Sequence, residues 1–306
     1  MSEQLQLCPL CESSRHRNVY VARDWHYGNK GTFRVERCED CTLMFLNPMF
    51  TDQELTAFYP DDYYAYQNHF ESHPVKETIK RLLGLTIQTR DPKFAQPGNI
   101  LDVGCGSGWF LRRMRDQGWQ TFGVEVSSSA VRVGREKGGL DIFCGTLPAA
   151  RFQPDFFDYV RLNHSFEHIA SPHETLDEIH RILKPDGKLM IGVPNLDSLN
   201  ARLFGKYWWY LGVPVHPYTY AVQTLSRLLA KHRFEVEKVT YNADFSGILG
   251  SFQIWLNRNS TRKSTEGAAY NNPLLKVGCH WLARVSNLFR LGDAIEITTT
   301  KRLEHP

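Results

Sequence analysis

The feature that most constrains this chain is an alternation that starts at Asn99. "NILDV" is a short apolar run, and "WFLRRMRDQG" beyond it has helical spacing. "TFGVEV" then reads as a second strand, "SSSAVRVGREKG" as a second helix and "LDIFCG" as a third strand. "FDYVRL", "HETLDEIHRIL" and "GKLMIGVP" follow as strand, helix and strand. Strands alternating with helices predict a doubly wound, mostly parallel sheet with helices on both faces. "AVQTLSRLLAKH" and "FEVEKVTYN" extend the alternation, and "AIEITTTKR" is expected as a final antiparallel edge strand.

At 306 residues the chain can hold one large domain with appendages, or two modest ones. No uninterrupted apolar run approaches the ~18 residues of a membrane span. "MSEQLQLCPL" lacks a charged region followed by an apolar one, so no signal peptide is expected and a cytoplasmic, reducing location is the default. The net charge of +3 is too small to argue for nucleic acid by itself.

The chain has seven cysteines, and a reducing compartment argues against disulfides. Cys8, Cys11, Cys38 and Cys41 form two C-x-x-C pairs, "CPLC" and "CEDC". Two such knuckles can present four thiolates to one tetrahedral zinc, closing its coordination sphere and leaving no open position for chemistry. The competing reading is coincidence or a redox pair. Cys105, Cys144 and Cys279 are scattered and read as small buried residues. The organisation expected is a zinc ribbon over 1–50, a helical connector or lid over 51–98, and a main domain over 99–306 with insertions at 194–220 and 245–292. Within the connector, Thr51 and Glu54 make a capping box for a helix near 52–58 that Pro60 stops. A second helix is expected between Ser72 as N-cap and Gly84 beyond its end.

"LDVGCGSG" sets Gly104, Gly106 and Gly108 directly after the first strand of the alternation. Glycines there let backbone amides approach a ligand, and the next helix turns its positive end toward it. The dinucleotide fingerprint needs glycine where Trp109 stands, which weakens a nicotinamide reading. Asp102 places a carboxylate where a cationic ligand end could sit. Glu125 ends the second strand, about 20 residues on, where an acid can accept ribose hydroxyls.

With these residues in hand, the chain resembles the class I S-adenosylmethionine-dependent methyltransferases over about two thirds of its length. The resemblance implies a seven-stranded Rossmann-like sheet, with S-adenosylmethionine held by Asp102, Gly104, Cys105, Gly106 and Gly108 and its ribose by Glu125, next to Val126. It also implies that Asn163 lies at the cofactor. The acid such enzymes often use for the adenine amine is Thr146 here, so adenine is expected against backbone near Gly145, Thr146 and Leu147.

"RLNHSFEHIASPH" at 161–173 contains His164, Glu167 and His168 in the H-x-x-E-H pattern of some zinc peptidases. A peptidase needs a long helix through the motif, whereas strand four ends at Leu162 and Pro172 breaks the pattern. The stretch is instead similar to the methyltransferase segment in which an E-H pair precedes a helix. Some ubiquinone-pathway O-methyltransferases bind a divalent cation in that turn, so His164, Glu167 and His168 could act likewise. Alternatively, Glu167 and His168 brace the helix while His164 faces substrate. An alcohol acceptor needs a base with near-neutral pKa, which makes His164 the first candidate, with His216 in "GVPVHPYTY" and His168 behind it.

The insertion "NLDSLNARLFGKYWWYLGVPVHPYTY" is dense in Tyr, Trp and Phe, as a pocket wall or lid requires, or as an aromatic core patch would show. With the ribbon and "LNP…FYPDDYY" it resembles methyltransferases of bacterial surface-polysaccharide and secondary-metabolite pathways, which implies a small-molecule or glycan acceptor such as a sugar hydroxyl. On a helical wheel of 274–290, Leu274, Trp281, Leu282, Val285, Leu288 and Phe289 share one face opposite Lys276, His280, Arg284 and Arg290. Such a helix either packs its apolar face inward or lies peripherally on the inner face of an anionic membrane, which would suit a lipid-linked acceptor. Two other functions stay open. One ribosomal-RNA guanine methyltransferase family joins a zinc ribbon to this fold, although no dense basic stripe accompanies the ribbon here. A non-catalytic S-adenosylmethionine-binding protein is the other.

Overall fold

A computed structural model of the chain describes residues 4–60 and 91–302. The expected helix between Ser72 and Gly84 lies outside the described residues. Three antiparallel strands come first, β1 (His16–Ala22), β2 (Phe33–Cys38) and β3 (Met44–Leu46), followed by α1 (Asp52–Thr56). Thr51 and Glu54 cap α1 reciprocally, as their spacing requires.

The alternation then runs through β4 (Asn99–Val103), α2 (Trp109–Arg115), β5 (Gln120–Glu125), α3 (Ser128–Gly138), β6 (Asp141–Cys144), β7 (Phe157–Asn163), α4 (Pro172–Ile182) and β8 (Leu183–Pro194). The remainder is α5 (Leu199–Phe204), β9 (Tyr218–Thr219), α6 (Val222–Lys231), β10 (Phe234–Asn242), α7 (Ser251–Leu256), α8 (Ala268–Asn271), α9 (Pro273–Leu288) and β11 (Ala294–Lys301). The large sheet has seven strands in the order β10-β11-β8-β7-β4-β5-β6, with β8 to β6 parallel and the pairs β8–β11 and β11–β10 antiparallel.

β11 is antiparallel, as expected, but it is not an edge. It lies between β8 and β10, and Ile295, Ile297 and Thr299 are all fully buried there. Alternating residues of β4 serve the two faces: Ile100 joins Phe110, Leu111 and Met114 of α2, while Leu101 and Val103 join Leu176 and Ile179 of α4. Asp102 has the parity of Ile100. Its carboxylate takes Arg161 Nη1 at 2.9 Å, and the Arg161 guanidinium lies 4.0 Å from the Phe110 ring centroid.

The N-terminal sheet is not closed by its own strands. β9, from the insertion after β8, pairs with β3 through Met44–Thr219 and Phe45–Tyr218. Trp208, Leu211 and Val213 of that insertion pack with Phe33, Val35 and Leu46. Of the two readings of the insertion's aromatics, the structure therefore shows a core patch, with Trp208 buried.

A buried carboxylate organises the return from this insertion to β11. Asp293 accepts from Ser198 Oγ at 2.9 Å, Asn200 Nδ2 at 2.6 Å and Trp208 Nε1 at 2.9 Å. Burial raises its pKa, and those three donors oppose the rise. Asp293→Ala would strand three buried donors, at about 1–3 kcal/mol for an unsatisfied group and less than additively. A loss of about 3 kcal/mol in urea unfolding is the expected outcome, with the Asn variant intermediate.

Candidate functional site

A cavity of about 240 Å³ opens at the carboxyl ends of β4, β5, β6 and β7, where open α/β sheets place their ligands. Its floor is the loop at 104–108. Gly104, Gly106 and Gly108 have φ of +73°, +55° and +85°, values that suit glycine far better than other residues. At Gly104 there is a second reason: an added Cβ would lie 2.4 Å from Ser165 Cβ. Ser165 Oγ in turn donates to the Val103 carbonyl at 2.7 Å, so the loop and the turn after β7 are clasped together.

Glu125 stands at the end of β5, 7% exposed. Its Oε2 accepts the Gly106 amide at 2.9 Å and its Oε1 the Ser127 amide at 2.9 Å. Burial raises its pKa, while the amide hydrogen bonds act in the opposite direction. A carboxylate has about four acceptor directions, so capacity remains for hydroxyl groups in the cavity. Val126, Gly145, Thr146, Leu147 and Pro148 continue the wall.

Four of the expected cofactor residues lie outside this lining. Asp102 turns to the α2 face and is neutralised by Arg161, so its carboxylate is not presented to a cationic ligand. Cys105 packs its sulfur toward Gly123, Gly108 caps α2 against Leu140, and Asn163 packs toward Gly192. Cys144 is exposed and Cys105 and Cys279 are half-buried, which corrects the reading of all three as buried.

The turn after β7 brings the histidines together. Phe166–His168 is a single 3-10 turn and α4 starts only at Pro172, so no long helix runs through the H-x-x-E-H stretch. His164 has a left-handed φ of +53°, uncommon for a residue with a side chain. Its amide donates to the Gly192 carbonyl at 2.8 Å, and its ring stacks on Tyr210. His164 Nδ1 is 3.4 Å from Glu167 Oε1. Burial disfavours the imidazolium, but the Glu167 carboxylate outweighs it and the His164 pKa is raised. The Glu167 pKa is lowered: burial would raise it, and the surrounding histidines prevail.

His168 lines the cavity; His216 does not. His168 Nδ1 meets the Val215 carbonyl at 2.8 Å and Tyr59 Oη at 2.7 Å, and His216 Nδ1 meets the Tyr210 carbonyl at 3.0 Å. A carbonyl only accepts, so both Nδ1 atoms carry hydrogen and both Nε2 atoms carry lone pairs. Burial lowers the pKa of each, that of His216 to about 3 with the help of the neighbouring His168. Donor atoms of Glu167, His168 and His216 fall within 4.8 Å of one another. The expected trio was His164, Glu167 and His168. His216, from the insertion, takes the place of His164.

Residues 68–239, more than half of the chain, match the family described as "Methyltransferase domain". The chain belongs to that family. It is 31% identical over 109 residues to malonyl-[acyl-carrier protein] O-methyltransferase of Erwinia pyrifoliae, covering 34% of this chain and 42% of that protein. It is 32% identical over 120 residues to ubiquinone biosynthesis O-methyltransferase of Idiomarina loihiensis, covering 37% of this chain and 46% of that protein. The chain thus spans less than half the length of these curated relatives. Among solved structures, a chain of the complex between the Haloferax volcanii Trm112 methyltransferase activator and a methyltransferase is similar with a TM-score of 0.52. At 20% identity, over 84% of this chain and 100% of that one, the likeness bears on the fold alone.

In this member of the family the N-terminal region supplies part of the cavity. Asp52, Leu55, Thr56 and Tyr59 line it, and Asp52 Oδ1 accepts the Ala170 amide at 2.8 Å. The sequence marks α1 as a capped helix but carries no signal that it faces a turn more than a hundred residues away. Ser165, Ile169 and Glu174 also line the cavity without having been expected there.

Cys8, Cys11, Cys38 and Cys41 converge as their spacing predicts. The sulfur pairs Cys8–Cys41 and Cys11–Cys38 are each 3.5 Å apart. Burial pushes the Cys8 thiol up to about 11, so an apolar surround holds sulfurs that a bound cation would convert to thiolates. The Cys38 thiol is brought down to about 7, because the Cys41 and Asp40 amides outweigh its burial.

Glu125→Ala removes the acceptor facing the cavity and opens its amide partners to water entering from the cavity. S-adenosylmethionine affinity should fall at least about tenfold, in line with ~1.5–3 kcal/mol for hydrogen bonds to a charged group. Calorimetry on a variant of unchanged melting temperature reads this directly; an unaltered affinity would remove the ribose assignment.

Proposed function

We propose that the chain transfers a methyl group from S-adenosylmethionine to a hydroxyl of a small-molecule or glycan acceptor, a sugar hydroxyl being the favoured case. The observation that carries this reading is the joint presence, in one cavity, of an amide-held carboxylate at Glu125 and an acid-paired imidazole at His164. The relatives include both O- and C-methyltransferases, so the choice of oxygen rests on the candidate base His164. The sugar assignment draws on the resemblance of "RLFGKYW" and the residues after it to enzymes of polysaccharide and secondary-metabolite pathways.

The cavity's donor set suits this cofactor. Glu125 can take the two ribose hydroxyls, Val126 and Leu147 give apolar contact for a base, and the glycine loop admits a chain against its backbone. When bound, S-adenosylmethionine supplies a methyl group on a positively charged sulfur that departs as a neutral thioether. His164 takes the proton of the attacking hydroxyl, and Glu167 holds the imidazole and stabilises its cationic form. The wall of Leu55, Tyr59 and Ile169 keeps water from competing for the methyl group. The four cysteines hold a structural zinc in the N-terminal sheet.

His164→Ala should lower turnover by about 10²–10⁴-fold, the range for general-base catalysis, with little change in S-adenosylmethionine affinity. A base acts when deprotonated, and the His164 pKa is raised above 6.5, so activity should climb with pH through a midpoint above that value. Glu167→Gln takes away the group that raises it, so the midpoint should move to lower pH. A limb that stays in place in Glu167→Gln would remove the dyad. Mass spectrometry of metabolite extracts incubated with methyl-labelled S-adenosylmethionine identifies the acceptor, and an RNA product would overturn the small-molecule reading.

A second metal at Glu167, His168 and His216 is favoured by one specific observation. Glu167 Oε2 is buried without a hydrogen-bond partner, and a ring nitrogen of each of His168 and His216 lies within 4.8 Å of a Glu167 carboxylate oxygen. Metal analysis of the purified chain should then find more than one equivalent, reduced to one in His216→Ala; one equivalent in both would leave the cysteines as the whole metal complement.

A further inference from the structure

Helix α9 is turned inside out. Its protein-facing positions are His280 and Ala283, both buried, with Lys276 and Asn287 partly buried in the same row. Lys276 reaches in over the Phe245 and Tyr270 rings. The outward positions are apolar: Leu274 is 81% exposed, Trp281 52%, Leu282 59%, Val285 49%, Leu288 82% and Phe289 70%. A helix that contributes to a core shows the opposite arrangement. Helix α7 packs on the same Ser246–Gly250 turn as α9 and exposes Phe252, Trp255 and Leu256. So large an apolar display is not left in water without cause.

Charge selects the occupant. Residues 251–290 carry six cations and a single acid, Glu266, in a chain whose total charge is only +3. Arg284 lies over the outward Trp281 ring, Arg258 over the Trp255 ring, and Arg262, Lys263 and Arg290 are exposed nearby in sequence. A second copy docked by two-fold symmetry would set these cations against themselves. An anionic bilayer meets both requirements, since leucine, tryptophan and phenylalanine enter the headgroup boundary while arginine and lysine remain with the phosphates. No helix among the described residues is long and apolar enough to cross a membrane, so the contact would be along the surface.

We propose that the outward face of α9, with Trp281, Leu288 and Phe289 at its centre and Arg284 and Arg290 at its rim, seats this protein on an anionic membrane surface. The face does not line the cavity, and the proposal holds whichever ligand the cavity takes. A run of ring contacts joins the two regions: Lys276 to Tyr270, Tyr270 stacked on Trp209, and the adjacent Tyr210 stacked on His164.

The test is flotation of the full chain with vesicles of phosphatidylcholine alone or mixed with phosphatidylglycerol. Binding should need the anionic lipid and weaken with salt. Arg284→Gln and Arg290→Gln should each lower the partition about fivefold, as expected for one cation near a charged surface. The double change Leu288→Glu with Phe289→Glu should abolish flotation while S-adenosylmethionine affinity and melting temperature stay at wild-type values. Absence of flotation, or flotation that survives the double glutamate change, would overturn the proposal. A concentration-dependent dimer that the glutamates dissolve, without vesicle binding, would assign the face to a second copy instead.

Discussion

The site depends on one close approach, between Gly104 and Ser165. There is no room at Gly104 for a side chain, because Ser165 Cβ occupies the place a Cβ would need, and Ser165 Oγ is spent on the Val103 carbonyl. The glycine loop after β4 and the histidine turn after β7 are therefore one structural unit, although nearly sixty residues of chain lie between them. A larger residue at Gly104 would separate the Glu125 carboxylate from the His164 imidazole, which line the same cavity. Catalysis by positioning tolerates little of that, since misplacement by about 1 Å can cost ~10²-fold.

Around this clasp the N-terminal region is tied to the site, with α1 and Tyr59 lining the cavity and the small sheet behind them. β3 pairs with β9, Asp52 holds the Ala170 amide, and Tyr59 Oη meets His168. Each contact joins the first sixty residues to elements beyond β7. A metal held by Cys8, Cys11, Cys38 and Cys41 would fix β1 and β2 and, through β3, the insertion that carries His216. The cysteines and the histidines are thus mechanically linked without sharing a ligand.

Much of this was legible in the sequence, and the exceptions share a cause. Periodicity marks β4 to β8 because a strand buried on both faces is a short apolar run, and the acid at Glu125 is legible because its spacing from the glycines is set by one helix. Asp102 misleads because its chemistry suits a cation, whereas its parity along β4 turns it to Arg161. β11 misleads because chain order places it last, whereas pairing places it inside. Helix α9 is the clearest case. A wheel shows that Leu288 and His280 lie on different sides, but which side meets the protein is decided by neighbours that the wheel does not contain.

Four buried acids show how the same side-chain chemistry is sent to different tasks by its surroundings. Asp102 is balanced by a full guanidinium, which leaves it inert in the floor of the sheet. Asp293 is satisfied by three neutral donors and serves as a fixed point for the insertion. Glu125 is held by backbone amides that cannot move away, so its remaining acceptor directions face the cavity at a defined place. Glu167 alone among these has one oxygen near an imidazole and the other buried without a partner. An unsatisfied carboxylate oxygen in a low-dielectric surround is costly, at ~1–3 kcal/mol or more, and such a cost persists where a proton or a cation arrives during function. Of the four, Glu167 is the acid whose surroundings leave an acceptor open, although in the sequence it is only one position of a short and ambiguous motif.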